Sequence, residues 1–333
     1  GSSGFGPLTQ GLAGSTTNAL TISGSTTSNL IYTKYGSANL TTDASTTYDS
    51  SIAIAEGTLT LGSANQMLDS GTLAVDGNGS LDLNGFSDTV GAVTLTSGSI
   101  VNGTLTGTSF TVDAGTISAV LAGSGTTLTK STAGLATLSA VNTYTGGTSV
   151  AAGTLVVTAD GALGTTATGT TVASGATLDL NSVSYTTTEG LQLQGGTLQT
   201  SSGTSSFAGA IEFAATSNVD VAAGATLALS GNMSETGGSF GLTKTGTGSL
   251  TISGSSLTNT GLTSVNSGEL VLNATLPGSV TVASGADLYG SMTVNGTTTI
   301  DAGATLSVGT ATTAGSGTFG SLVLNGGTLV NFA

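Results

Sequence analysis

The 333-residue chain contains no cysteine, no tryptophan, no histidine and no arginine. Its only basic side chains are Lys34, Lys130 and Lys244. Each absence removes a class of function. Without cysteine there is no disulfide framework and no thiolate zinc site. Three lysines cannot form the basic patches that a phosphate backbone requires, so nucleic acid is excluded as a partner. No run of about 18 apolar residues is present, so no helical membrane span is expected. The chain opens Gly1-Ser2-Ser3-Gly4, without an initiator Met and without a charged region ahead of an apolar one. The expectation is a processed or excised piece of something longer. Proline occurs twice and charged residues make up 6% of the chain. Helical periodicity is nearly absent, because Ala sits beside Gly, Thr and Ser rather than on a 3.6-residue period.

What remains is Gly, Thr and small apolar residues. There are 54 Gly, about one residue in five is Thr, and the formal net charge is −14. An apolar share of 37% with mean hydropathy +0.33 argues against disorder, which pairs low hydrophobicity with high charge density. A short phrase recurs: an apolar residue, small or polar residues around a Gly, then Leu-x-apolar. It reads Val172-Ala173-Ser174-Gly175-Ala176-Thr177-Leu178 and Val221-Ala222-Ala223-Gly224-Ala225-Thr226-Leu227. It returns as Val282-Ala283-Ser284-Gly285-Ala286-Asp287-Leu288 and Ile300-Asp301-Ala302-Gly303-Ala304-Thr305-Leu306. Looser copies lie at 54–59, 112–117, 150–155, 265–270 and 324–329. A repeat that cannot bury its apolar face alone must stack on its neighbours.

The strands that follow each Gly alternate. In Thr177-Leu178-Asp179-Leu180 and Thr226-Leu227-Ala228-Leu229 the two leucines share one face and the residue between them takes the other. Each Gly is expected to take positive φ at a tight corner. The corner glycines are Gly115, Gly134, Gly153, Gly175, Gly196, Gly224, Gly248, Gly268, Gly285, Gly303 and Gly327. Their mean spacing is about 21 residues, whereas a hairpin meander returns every 8–12 or so. The fold expected is all-β, a parallel β-helix of about 20 residues per coil, with equivalent leucines stacked about 4.8 Å apart. Residues 1–50, with Tyr32, Tyr35 and Tyr48, read as a less regular segment, and 51–333 as one continuous solenoid. A β-sandwich array stays open, since Asp76-Gly77, Asn84-Gly85, Asn102-Gly103 and Asn295-Gly296 could each turn a hairpin.

Two stretches carry a family resemblance. In 128–157, Leu128-Thr129-Lys130 leads through Asn142-Thr143-Tyr144-Thr145-Gly146-Gly147-Thr148 to Ala152-Gly153-Thr154-Leu155-Val156-Val157. This resembles the autotransporter-associated β-strand repeat, also called the passenger-associated transport repeat. In 242–272, Leu242-Thr243-Lys244-Thr245-Gly246 leads to Ser267-Gly268-Glu269-Leu270-Val271-Leu272, with Leu257-Thr258-Asn259-Thr260-Gly261 in place of Tyr-Thr-Gly-Gly and one residue more. Lys130 and Lys244 fall at the same place in the two copies. Residues 57–65 and 79–91 are similar to the same families. The resemblance implies a right-handed parallel β-helix, the passenger of a bacterial autotransporter, exported through a C-terminal outer-membrane barrel. The sequence closes at Val330-Asn331-Phe332-Ala333 without a barrel, which is expected to be absent from this chain. A chain without cysteine cannot lock its fold in an oxidising periplasm before passage, and coils can add one at a time.

Carboxylates are the only reactive groups in number. Asp76, Asp82 and Asp88 are spaced by six, and Asp82 and Asp179 hold the outward position of a Leu-Asp-Leu strand. Two neighbouring outward carboxylates could act as acid and base on a glycosidic bond. β-Helix enzymes that cleave by elimination rely on Arg or Lys, and many hydrolases of that fold use His as well. This chain has neither Arg nor His, and its lysines do not lie near the aspartates, so these residues are expected to be solvated strand faces. Asp76-Gly77-Asn78-Gly79 hints at calcium but completes neither the Asp-x-Asp-x-Asp-Gly loop nor the Gly-Gly-x-Gly-x-Asp register, and turn chemistry is expected instead. Thr-x-Thr pairs such as Thr58/Thr60 and Thr143/Thr145 could suggest ice binding. The outward column argues otherwise, because it mixes Thr60, Ala74, Asp82, Val156, Asp179, Gln199, Ala228, Thr251, Val271 and Ser307. Tyr144, Tyr185, Tyr289, Phe207, Phe213, Phe240 and Phe319 form no sugar-binding stripe and are expected to plug corners or cap the core.

The sequence therefore points to no catalytic set, no cofactor and no metal site. The expectation is a structural β-solenoid, extracellular or on the bacterial outer surface, acting as stalk, adhesin body or self-associating fibre subunit. Its expected partner is a second copy in a head-to-tail filament, or a neighbouring cell surface or matrix, since neither end reads as capped. The alternative is a glycan-binding or polysaccharide-active β-helix.

Overall fold

A computed structural model describes residues 9–10, 31–310 and 313–331. The opening 1–4, most of the rest of the segment before Ile31, and Phe332 and Ala333 lie outside the described residues. Every described element is a strand, and the coils stack in parallel about 20 residues apart as a β-solenoid. The chain divides into two compact units, Gly1–Ser149 with Ala162–Ala167, and Val150–Gly161 with Thr168–Ala333.

In the first unit Ile31–Lys34 pairs in parallel with Ser51–Thr60, which pairs with Leu73–Asp82. Ala92–Leu95 and Ser109–Val112 follow in the same ladder. Tyr32, Ile52, Leu73, Val93, Phe110 and Leu128 thereby form one inward column. Leu59, Leu81, Ile100, Ile117 and Leu138 form a second. Asp88, Leu105 and Leu121 form a third. Nearly every residue of these columns is buried. Each buried aliphatic side chain contributes roughly 1.5–3 kcal/mol of transfer free energy, and the alternation of strand residues directs that contribution to one side.

The second unit repeats the plan with longer columns. One runs through Leu155, Leu178, Leu198, Val219, Lys244, Val265, Val282 and Ile300. Another runs through Leu227, Leu250, Leu270, Leu288 and Leu306. A third runs from Tyr185 through Phe207, Leu229, Ile252 and Leu272. Ladder pairings between coils are parallel. The antiparallel contacts are short, at Gly309–Thr310 with 313–314 and at two isolated bridges. The sandwich alternative is thereby removed. Asn84-Gly85 does take positive φ at both residues (52° and 83°), but it turns a solenoid corner rather than a hairpin.

The recurring phrase is a four-residue turn. Ala176, Ala225, Ala286 and Ala304 each donate their backbone N–H to the carbonyl three residues earlier at 3.0 Å. The Gly at the third position has φ of 79°, 74°, 79° and 83°, the arrangement of a type II turn. Gly115, Gly153 and Gly268 also take positive φ (103°, 66° and 66°), but Gly134, Gly196, Gly248 and Gly327 do not, contrary to expectation. At Gly196, Gly248 and Gly327 a Cβ would lie 2.6 Å or less from a neighbouring atom, so close approach is what selects Gly there.

Candidate functional site

The charged side chains are the place to look for chemistry, and most of them close the fold on itself. Lys34 and Lys244 stand in inward columns, Lys34 between Gln10 and Ile54 and Lys244 between Val219 and Val265. Their aliphatic stems fit such a column, but the ammonium group needs partners there. Lys244 Nζ donates to the carbonyls of Thr245 (2.7 Å), Gly246 (2.7 Å) and Ser267 (3.2 Å). Lys34 Nζ donates to those of Tyr35 (3.3 Å), Gly36 (2.6 Å) and Glu56 (3.0 Å). Lys130 is fully buried as well, and its Nζ donates to the Thr132 carbonyl. Burial lowers the pKa of all three, that of Lys244 to about 8 against the pull of Asp220 and Glu269.

The candidate aspartates are not brought together as an acid–base pair. Asp76 accepts from the Gly77 N–H (2.7 Å) and Ser97 Oγ (3.1 Å), which is turn chemistry. Asp82 accepts from the Asn84 N–H (2.8 Å) and Asn102 Nδ2 (3.1 Å). Asp88 and Asp179 correct the expectation of solvated faces. Asp88 is 1% exposed in the column of Leu105 and accepts from the N–H groups of Gln66 (2.8 Å), Met67 and Thr89 (2.9 Å). Burial raises its pKa against those bonds. Asp179 is also buried, and the Ser201 N–H (3.0 Å) and Oγ (2.6 Å) bind its two oxygens. For Asp179 the adjacent coil brings its own donors and turns an outward position into a buried one, whereas Asp88 stands in an inward column. Among the described residues no group of three potential metal-ligating side chains gathers. A surface indentation lined by Ile52, Met67, Leu73 and Val90, among others, has no room for a water molecule.

Two buried polar groups had no signal in the sequence reading. Glu189 is 1% exposed, and Thr170 Oγ1 and Tyr185 Oη (3.1 Å) both donate to its carboxylate. Burial pushes its pKa up to about 7, against the effect of those two bonds. Gln66 accepts from Thr42 Oγ1 (2.6 Å) and donates to the carbonyls of Asp43 (2.6 Å) and Thr46 (2.9 Å), joining Asp88 through its own N–H. Both residues lie outside the recurring phrase; Tyr185 is four residues from Glu189, and the other partners named come from a neighbouring coil. The aromatic residues pair in the core: Tyr185 with Phe207 (5.6 Å between ring centres), Tyr144 with Phe110 (6.1 Å), and Tyr32 with Tyr48 (5.1 Å). The outward columns are mixed, as in Val156, Asp179, Gln199, Asp220 and Thr245. No single residue type runs along this column.

Residues 128–157 and 242–272 match the family model of the passenger-associated-transport repeat. The chain carries two such repeats. They hold Lys130 and Lys244 at equivalent places, and together with the β-solenoid they are consistent with an autotransporter passenger domain, secreted or at the cell surface. No curated protein matches the chain, and no solved structure does.

Proposed function

We propose that this chain is a structural passenger solenoid, a stalk or self-associating fibre subunit without catalytic activity of its own. The observation that carries this reading is the occurrence of passenger-associated-transport repeats in a parallel solenoid whose three lysines and several carboxylates bind backbone within the fold. The partner proposed is a second copy. In Gly317–Asn325 and Thr328–Asn331 the inward columns continue as Leu324 beside Ile300 and Leu329 beside Leu306, and these leucines are 45% and 48% exposed. Apolar strand edges of this kind accept a further strand, and a head-to-tail contact that does not close on itself builds a filament.

Electron microscopy of the purified chain at micromolar concentration tests the proposal. Filaments with an axial repeat of about 4.8 Å are expected, shortened or lost in a Leu324→Lys/Leu329→Lys variant. Single particles at every concentration would remove the fibre role. Release of reducing ends from an acidic polysaccharide would overturn the non-catalytic reading.

A further inference from the structure

We propose that residues 32–61 are a third passenger-associated-transport repeat, closed by Lys34 as the copy at 242–272 is closed by Lys244. The segment has the length of the copy at 128–157 and aligns with it without a gap at a constant offset of 96. Thr33, Lys34, Thr47, Tyr48, Gly57, Thr58 and Leu59 face Thr129, Lys130, Thr143, Tyr144, Gly153, Thr154 and Leu155. Ten of the thirty positions are identical; the departures fill 35–40 and 49–54, and in the second of these Asp49-Ser50-Ser51 stands in place of Thr145-Gly146-Gly147. That is the part of the pattern in which the copy at 242–272 also departs.

The geometry matches more closely than the sequence. Lys34 and Lys244 each bind the carbonyls of the next two residues. Each then reaches across to the residue just before a corner glycine, Glu56 before Gly57 and Ser267 before Gly268. Gly57, Gly153 and Gly268 have φ of 65°, 66° and 66°. A Cβ on Gly57 would lie 2.7 Å from the Gly36 carbonyl oxygen and 2.9 Å from Lys34 Nζ, and one on Gly268 would lie 2.7 Å from the Gly246 carbonyl oxygen. The glycine is therefore needed twice, for its φ and for the space that the ammonium and its carbonyls occupy. Tyr48 and Tyr144 are both buried against a second aromatic ring.

The physical content of the repeat follows. An ammonium group set into an apolar column is tolerated only where several acceptors converge on it. In return it ties together one corner strand and the corner of the next coil. Such a clip makes a closure point within one repeat. The chain then has such a clip at Lys34 as well as at Lys244. This inference concerns folding and does not depend on the proposed role as stalk or fibre.

Two measurements on the full chain test it, at concentrations below any association. In the first, 32–61 is replaced by the sequence of 128–157, and in a control the equally long 62–91 is replaced by the same sequence. The expected result is an unchanged far-ultraviolet dichroism and urea midpoint for the first chimera and a lowered midpoint for the control. In the second, hydrogen exchange is followed in Lys34→Met and Lys244→Met. Exchange at 57–61 and at 268–272, respectively, is expected to accelerate at least tenfold. Loss of structure in the first chimera to the extent seen in the control would overturn the proposal. So would unchanged exchange in Lys34→Met beside acceleration in Lys244→Met.

Discussion

Glu189→Gln is expected to change how the stability of the second unit depends on pH. Glu189 is 1% exposed, and its described side-chain partners are two hydroxyl groups, Thr170 from Thr170–Ala173 and Tyr185 from Ser184–Tyr185. Its folded pKa of about 7 stands above the ordinary 4.5 because burial penalises the charged form. Between those two values the unfolded chain has lost the proton and the folded chain still holds it, so stability falls as pH rises. The contribution is complete below pH 4.5, declines as pH rises through 7, and is flat beyond. A difference of about 2.5 units at about 1.4 kcal/mol each gives about 3 kcal/mol. Glutamine keeps the shape and never ionises. Urea unfolding at pH 4, 6 and 8, followed by far-ultraviolet dichroism, should show the wild type losing stability relative to the variant by about that amount across the window. Other titrating groups are common to both proteins and cancel in the difference. Parallel curves would refute the reasoning, because Glu189 would then titrate in the fold as it does in the unfolded chain.

Lys244 works in the opposite sense. Its folded pKa of about 8 lies below the usual 10.5, so between those values the unfolded state binds more protons and stability rises with pH; the urea midpoint of the wild type should climb from pH 8 to 10 relative to that of Lys244→Met. Leu178→Asp puts an unpaired carboxylate in the column between Leu155 and Leu198 and should lower stability by about 4 kcal/mol or more, read as loss of the folded dichroism signal at a lower urea concentration. The two kinds of glycine should separate under alanine substitution. Gly224→Ala, with φ of 74° and nothing within 4 Å, should cost about 1–2 kcal/mol of backbone strain. Gly248→Ala, whose Cβ would lie 2.3 Å from the Ala222 carbonyl oxygen, should cost more, and equal melting temperatures for the two would contradict that distinction.

Much of the architecture is legible in the sequence. Alternation in Thr226-Leu227-Ala228-Leu229 assigned two residues inward, and the interval between glycines separated a solenoid from a meander. The charged residues were less legible. Asp179 read as solvated because an isolated strand shows which side a residue takes, not what the next coil lays over it. Asp88 did because the inward column in which it stands, with Leu105, and the backbone N–H groups of Gln66 and Met67 that meet it there come from other coils. Lys34 carried a readable sign, Thr33-Lys34-x-Gly36 beside Thr243-Lys244-x-Gly246, but its meaning rests on the carbonyl of Glu56, twenty-two residues on.

The sequence by itself determined the local chemistry of this protein: strands of two inward residues, type II turns at Gly175, Gly224, Gly285 and Gly303, and the presence of repeats. Only the tertiary structure decided register. Leu227, Leu288 and Leu306, the last residues of three copies of the recurring phrase, stack in one column. Leu178, the last residue of the fourth copy, stands instead in the column of Val282 and Ile300, which are first residues of their copies. The phrase encodes a corner, and any corner of a coil can use it. Which corners align is settled by how the aliphatic columns pack from coil to coil, and that depends on residues far apart in the chain.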